Sequence, residues 1–216
     1  MTSQLVDPYQ GAKAPQYDAH HAKNMRTRYT TRREQLLLSR ALKHCGEIKS
    51  ALDLPCGTGR FWPVFEQAGV DRLHAGDMSE AMLGVARLNP PNVAEFSCEV
   101  MDAFDIDLPD NHVEFISSQR FFHHLSRASD RMLALGEIHR VTSSYAAISL
   151  WVDGNYQSRR YINKAIDPEA EGFGRRICRR REDVEREFQE AGFDVINSQD
   201  VWPYVAMWRL YLLRVR

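Results

Sequence analysis

Residues 50–61 read SALDLPCGTGRF. The apolar run Ala51, Leu52 and Leu54 predicts a buried strand, and Pro55-Cys56-Gly57-Thr58-Gly59 predicts the tight turn that ends it. A helix follows from about Phe61 to Ala68, with Pro63 in its first turn, where a missing N–H costs little, and Gly69 at its end. Strand, glycine turn and helix start make a nucleotide-type corner. The backbone there can approach a ligand closely, and free N–H groups at the helix start point into the crevice.

Upstream, residues 1–16 carry Pro8, Gly11 and Pro15 with little periodicity and read as a loose arm. From about Asp18 to Cys45 the pattern is helical, with Leu36, Leu37, Leu38, Ala41 and Leu42 as the apolar face and Gly46 as the stop. Downstream, RLHAGD at 72–77 predicts a second strand closing on Asp77. The helix SEAMLGVARL comes next, with Ser79 as N-cap and Pro90-Pro91 beyond its end. Val93, Phe96, Cys98 and Val100 mark a third strand over 93–100, which stops at Met101-Asp102-Ala103. VEFISS at 113–118 is the fourth strand, followed by a turn with His123-His124 and a helix from about Ala128 to Arg140. SYAAISLWV is the fifth.

Five strands alternating with helices predict a parallel doubly wound sheet. EDVEREFQEAG is a further helix, and FDVINSQDV and VAMWRLYLLRV are two last strands with no helix between them, hence an antiparallel hairpin at one edge. The expected organisation is a single α/β domain of four parts. These are an arm and capping helix at 1–47, a ligand-binding core at 48–152, an insertion or lid at 153–180, and a C-terminal helix and hairpin at 181–216.

At 216 residues one core suffices, and with a net charge of −1 nothing global suggests a nucleic-acid or membrane partner. The charge is unevenly spread. Residues 13–43 carry eight Lys/Arg against Asp18 and Glu34, whereas 95–119 carry seven acids and no Lys or Arg, so any anionic partner belongs with the former. Cys45, Cys56, Cys98 and Cys178 lack metal-ligand or redox-pair spacing, so no metal is expected, and free thiols suit a reducing compartment. With no apolar signal-peptide core and no run of membrane length, a cytoplasmic location is the expectation.

A dinucleotide fingerprint requires a third glycine where the helix packs on the strand. Gly57 and Gly59 put Trp62 in that slot, which counts against a nicotinamide or flavin dinucleotide. Acids stand instead at successive strand ends, the edge where doubly wound sheets bind ligands. Asp77, 18 residues after Gly59, can accept both hydroxyls of a ribose. Asp102 can accept from an exocyclic adenine amine while the Ala103 N–H meets a ring nitrogen. Ser118 and Gln119 end the fourth strand near the amino-acid end of such a ligand, and Asp53 is expected to order the glycine loop by accepting its N–H groups. With no phosphate-binding lysine, the ligand is an adenosine without phosphates.

In these features the chain resembles a class I S-adenosylmethionine-dependent methyltransferase of the UbiE-like small-molecule type. ALDLPCGTGR, AGDMSEAML, MDAFDIDLPDNHVEFISS and FFHHL match the family's successive signatures over about residues 48–150. The resemblance implies a Rossmann-like seven-stranded sheet in the order 3-2-1-4-5-7-6, with the last strand antiparallel and helices on both faces. It implies S-adenosylmethionine as cofactor and S-adenosylhomocysteine as product, held by Asp53, Pro55, Gly57, Thr58, Gly59, Asp77, Met78, Asp102, Ala103, Ser118 and Gln119. Two departures stand out. Pro55 replaces the first glycine of the family's turn, and Glu114 stands for an aspartate in a position read as structural.

The acceptor implied is a small molecule or lipid-type compound, carrying phosphate or carboxylate if the basic segments face it. His123 and His124 are candidate proton acceptors, and equally candidate packing residues. Arg159, Arg160, Arg175, Arg176, Arg179, Arg180 and Arg181 form either an anion-binding lid or salt bridges to Glu169, Glu171, Glu182 and Asp183. Tyr29, Tyr156 and Tyr161 fall in the acceptor regions. Two other functions fit the same core: a non-catalytic binder of the cofactor, and an RNA methyltransferase using its basic segments. No amino-group-gripping tetrapeptide follows the fourth strand, which disfavours base N-methylation.

Overall fold

The computed structural model describes residues 25–160 and 177–216. The arm at 1–16, the predicted helix start at Asp18 and the middle of the 153–180 insertion, with Tyr161, Glu169, Glu171, Arg175 and Arg176, lie outside the described residues. In chain order the elements are α1 (Met25–Cys45), β1 (Ser50–Asp53), α2 (Trp62–Ala68), β2 (Arg72–Asp77), α3 (Glu80–Ala86), β3 (Glu95–Val100) and β4 (Val113–Ser118). A short 3-10 turn at Phe122–His124 leads to α4 (Ala128–Val141) and β5 (Thr142–Trp151), then α5 (Arg181–Glu190), β6 (Phe193–Asp200) and β7 (Trp208–Val215).

The strands form one seven-stranded sheet in the order β3-β2-β1-β4-β5-β7-β6. The β3-β2-β1-β4-β5 part is parallel, and β7 runs antiparallel to both β5 and β6. Strand period sorts the core onto two faces. Ala51 and Phe115 face α1, α2 and α3 through Leu37, Leu38, Phe65 and Leu83, while Leu52 and Ile116 face α4 and α5 through Leu135, Ile138, Val184 and Phe188. This arrangement brings the C-terminal ends of β1 to β6 and the start of β7 to one edge.

Three details differ from the sequence reading. Leu36 is 42% exposed, because Leu37, Leu38, Ala41 and Leu42 already fill the stripe that α1 presents to the sheet. β3 begins at Glu95 rather than Val93, and Val100 is exposed, since an edge strand has one flank uncovered. β7 begins at Trp208, because Trp202–Met207 are used as the hairpin loop after β6. As read from the sequence, Ser79 caps α3: its Oγ accepts from the Met82 N–H at 3.3 Å. Glu114 is structural too, accepting the N–H groups of Lys49 at 2.5 Å and Ser50 at 3.3 Å to tie the start of β1 to β4.

Candidate cofactor and acceptor site

The turn after β1 is held from both neighbours. Leu54 N–H donates to the Ser117 carbonyl at 2.9 Å and Cys56 N–H to the Gly76 carbonyl at 2.7 Å. Pro55 lies between these two bonds, joined to Leu54 by a cis peptide, and its lack of an N–H leaves both in place. Gly57 and Gly59 have φ of 56° and 76°, left-handed values that favour glycine. A Cβ on Gly57 would meet nothing within 4 Å, but one on Gly59 would lie 2.6 Å from the Trp62 ring. The Trp62 indole is buried beneath the turn, edge-on to Phe96 of β3 with ring centroids 4.9 Å apart. Trp62 thus fills the third-glycine slot by packing under Gly59. Thr58 sits half-buried between the two glycines.

Asp77, at the end of β2, accepts from Gly57 N–H at 2.8 Å through Oδ2 and from Ser79 N–H at 2.9 Å through Oδ1. The glycine turn is therefore ordered by Asp77 and not, as the sequence reading had it, by Asp53. Asp53 is fully buried, and neither of its oxygens has a hydrogen-bond partner among the described residues. Burial pushes its carboxyl up to about 8, against the lowering pull of Ser117, Arg60 and Trp62, with Asp77 adding to the rise. Met78, beside Asp77, is exposed at the rim.

Asp102 Oδ1 accepts the Phe104 N–H at 2.9 Å, which leaves its second oxygen for another donor, with buried Ala103 beside it. This acidic loop is clamped from α4. Glu137 accepts the Ile106 N–H at 2.8 Å, and Arg140 donates to the carbonyls of Ile106 and Leu108 at 2.8 Å each. The Arg140 pair holds the Glu137 carboxyl below its ordinary range. At the end of β4 the Ser118 hydroxyl is buried and has no partner among the described residues. Gln119 turns inward: its amide nitrogen donates to the Ala147 carbonyl at 3.1 Å and to Ser117 Oγ at 3.2 Å, bracing β4 on β5.

Beyond β4 the edge is aromatic. His123 is buried, stacked on Trp151 at 5.2 Å and edge-on to Trp208 at 4.7 Å, and its carbonyl accepts the Ile177 N–H at 2.8 Å. His124 is half-buried beside it. Arg120 has φ 58°, an uncommon value for a residue with a side chain. Its guanidinium grips buried Glu34 of α1 through two bonds, at 2.9 and 2.8 Å, and lies 5.0 Å over the Trp208 ring. Sequence reading missed this pair. A lone acid in a basic helix was the one available signal, but nothing in the sequence says that Arg120 is its partner.

Two of the arginines proposed for a lid are committed elsewhere. Arg179 and buried Arg131 both grip Glu187, through bonds of 2.8 to 3.0 Å. Burial alone would raise the Glu187 carboxyl, but the two guanidiniums outweigh it and hold it below its ordinary range. Arg181 donates to the Asp153 carbonyl at 2.8 Å. The partners found are thus Glu187 for Arg179, and Asp153 and Asp200 for Arg181, where salt bridging to Glu169, Glu171, Glu182 and Asp183 is the alternative that the sequence offers to a lid. Arg159 and Arg180 are exposed.

Residues 52–150 match the family described as Methyltransferase domain. The matched stretch runs from the glycine turn through β5. No curated protein matches the chain. Among solved structures, the chain is similar to magnesium protoporphyrin IX methyltransferase from Synechocystis PCC 6803 with bound S-adenosylhomocysteine. The TM-score is 0.71 at 12% identity, over 96% of each chain. The same enzyme with bound S-adenosylmethionine gives 0.69 at 12% identity, over 100% of each chain. A SAM-dependent methyltransferase from Aquifex aeolicus gives 0.61 at 21% identity, over 92% of this chain and 96% of that one.

Residues 52–150, a little under half of the chain, match a methyltransferase domain, and the fold is shared with solved structures that hold S-adenosylmethionine or S-adenosylhomocysteine. The site's donor set fits that cofactor. It offers a glycine turn open to close approach, the Asp77 and Asp102 carboxylates at successive strand ends, and a buried Ser118 hydroxyl with no partner among the described residues.

Proposed function

We propose that this chain is a class I S-adenosylmethionine-dependent methyltransferase that acts on a small-molecule or lipid-type acceptor, in the manner of the UbiE-like enzymes, at the edge formed by α1, the Phe122–His124 turn and the β6–β7 hairpin. The observation that carries this reading is the contrast along the ligand edge. Small residues and carboxylates line the β2-β1-β4 part, and tryptophan and histidine rings line the β5-β7 part. The first set suits a nucleoside, and the second suits an acceptor with an apolar or planar body. That one similar fold belongs to a protoporphyrin methyltransferase supports the same reading.

When bound, the cofactor supplies a methyl group on a sulfonium. Asp77 is assigned to the ribose hydroxyls, Asp102 and Ala103 to the adenine, and Ser118 to the amino-acid end, with Asp53, Pro55, Thr58 and Met78 completing its surroundings. The role left to the acceptor side is to align a nucleophile and exclude water. His124, half-buried, is the candidate proton acceptor, whereas His123 serves as packing between Trp151 and Trp208. The basic face of α1 is free to favour an acidic acceptor.

The test uses cofactor carrying a radiolabelled methyl group, incubated with the protein and with aqueous and organic fractions of a cell extract. Label entering a low-molecular-weight or lipid fraction is the expected result, reduced in His124→Gln. Label entering RNA or protein alone overturns the acceptor reading.

A further inference from the structure

Nine large hydrophobic side chains are exposed among the described residues, and four of them stand together: Tyr29 at 64%, Tyr156 at 63%, Tyr204 at 85% and Val205 at 52%. They come from three segments joined by specific contacts. Tyr29 of α1 stacks on Trp202 with centroids 5.5 Å apart and planes 6° from parallel, and Arg33 Nε donates to the Val201 carbonyl at 3.0 Å. Tyr156 N–H and Gln157 N–H donate to the carbonyls of Tyr204 and Val205, at 2.9 and 3.1 Å, so the segment after β5 is zipped to the hairpin tip. Tyr204 has φ 64°, a left-handed value that a bulky residue adopts at a cost. That cost is spent on holding an aromatic ring out in water.

Charge surrounds these tips in a one-sided way. Residues 202–207 and 154–158 carry no charged side chain. α1 beside them carries exposed Arg28, Arg32, Arg40 and Lys43, and its one acid, Glu34, is buried against Arg120. Exposed Arg159 lies just beyond Gln157. An uncharged aromatic and aliphatic tip flanked by unpaired-sign basic charge is the pattern of a surface that enters the headgroup region of an anionic bilayer. Tyrosine and tryptophan favour that depth, with the ring in the acyl boundary and the polar atom in water.

We propose that this edge docks on an anionic lipid bilayer, which brings the methyl-transfer site to an acceptor dissolved in the membrane. The lipid-borne acceptor rests on the reading above, whereas docking itself needs neither cofactor nor methyl transfer. A single-stranded RNA partner fits less well. Bases stack on rings set between the cations, and here the Tyr29 ring, next to Arg28 and Arg32, is already stacked on Trp202, while Tyr204 shares the tip with aliphatic Pro203 and Val205.

The experiment is flotation of the intact protein with vesicles of phosphatidylcholine containing roughly one third phosphatidylglycerol, and with pure phosphatidylcholine, without cofactor. Binding to the mixed vesicles, weakened by high salt and absent from the neutral ones, is the expected result. Arg28→Glu combined with Arg32→Glu should lower the partition coefficient about 25-fold or more, at about fivefold for each positive charge removed. Tyr204→Ser combined with Val205→Ser should lower it to a similar degree, while Leu133→Ser, an exposed site elsewhere, leaves it unchanged. The substituted side chains are exposed, so melting temperatures near that of the parent keep the comparison valid. No binding to the mixed vesicles, or binding that the Tyr204/Val205 pair does not alter, overturns the proposal. So does binding to RNA that depends on the arginines while vesicles are ignored. Methyl transfer to an aqueous acceptor with vesicle binding intact would instead overturn the lipid-acceptor reading and leave docking in place.

Discussion

The two halves of the ligand edge solve different problems with different materials. Along β2, β1 and β4 the chain strips away bulk: glycines at 57 and 59, a proline with no N–H to place, and carboxylates that each anchor a neighbouring turn. Along β5 and β7 it adds bulk, with Trp151, Trp208 and His123 packed ring on ring and the Arg120–Glu34 and Arg131–Glu187–Arg179 groups tying in helices from distant sequence. The first half, the proposed cofactor site, is built from backbone geometry. The second is a wall whose shape depends on which helices are pinned against it, so its parts are free to change with the acceptor.

That contrast can be challenged by substitution. Glu187→Gln leaves two guanidiniums facing a neutral amide, and the expected loss of stability is about 4 kcal/mol in urea unfolding. Affinity for S-adenosylhomocysteine should stay within about twofold of the parent where the variant is folded, because Glu187 belongs to the wall. An equal loss of both would dissolve the distinction between the halves. The Glu187 carboxyl lies below its ordinary 4.5, so the folded state binds fewer protons than the unfolded one in that region. Its contribution is present above about pH 4.5 and is lost as acid takes the pH down through the lowered folded value.

Gly59→Ala does the reverse. Its Cβ would press on the Trp62 ring at 2.6 Å in a left-handed backbone, costing about 3 kcal/mol and abolishing measurable cofactor binding. Glu34→Gln loosens α1 and should cost about 2 kcal/mol with cofactor affinity little changed. The smallest effect belongs to Gly57→Ala, about 1 kcal/mol, since only its φ of 56° opposes the methyl. A larger loss at Gly57 than at Gly59 would refute the part assigned to Trp62.

Asp53 offers a test by pH within the first half. Burial raises its carboxyl from 3.8 to about 8, so between these values the folded state holds a proton that the unfolded state has released. Stability from this group is fullest in acid and falls as the pH rises through about 8. Asp53→Asn should flatten that decline when melting temperatures are followed from pH 5 to 8.5. An unaltered slope would place the titration elsewhere.

The sheet order and the first half were legible because their signals are local. A glycine pair, an acid at each strand end and a serine cap all declare themselves within a few residues. The assignment of loop ordering to Asp53 failed because the strand-end acids look alike in sequence, and only the fold shows that Asp77 lies opposite the Gly57 N–H. The wall was not legible for the same reason on a longer scale. Glu34 and Arg120, or Arg131 and Glu187, are joined across 86 and 56 residues, and no spacing rule links them. Leu36 shows the limit even within a helix, since an unbroken Leu36-Leu37-Leu38 run does not say which leucine faces out.

In the proposed cofactor site Asp77 serves both the glycine turn and the ribose. Calorimetric titration of S-adenosylhomocysteine into the parent protein and into Asp77→Ala, with melting temperatures confirming that both are folded, bears on that role. The variant loses an anchor and two hydroxyl acceptors, and its affinity should fall roughly a hundredfold. Equal affinity in the two proteins would contradict the account.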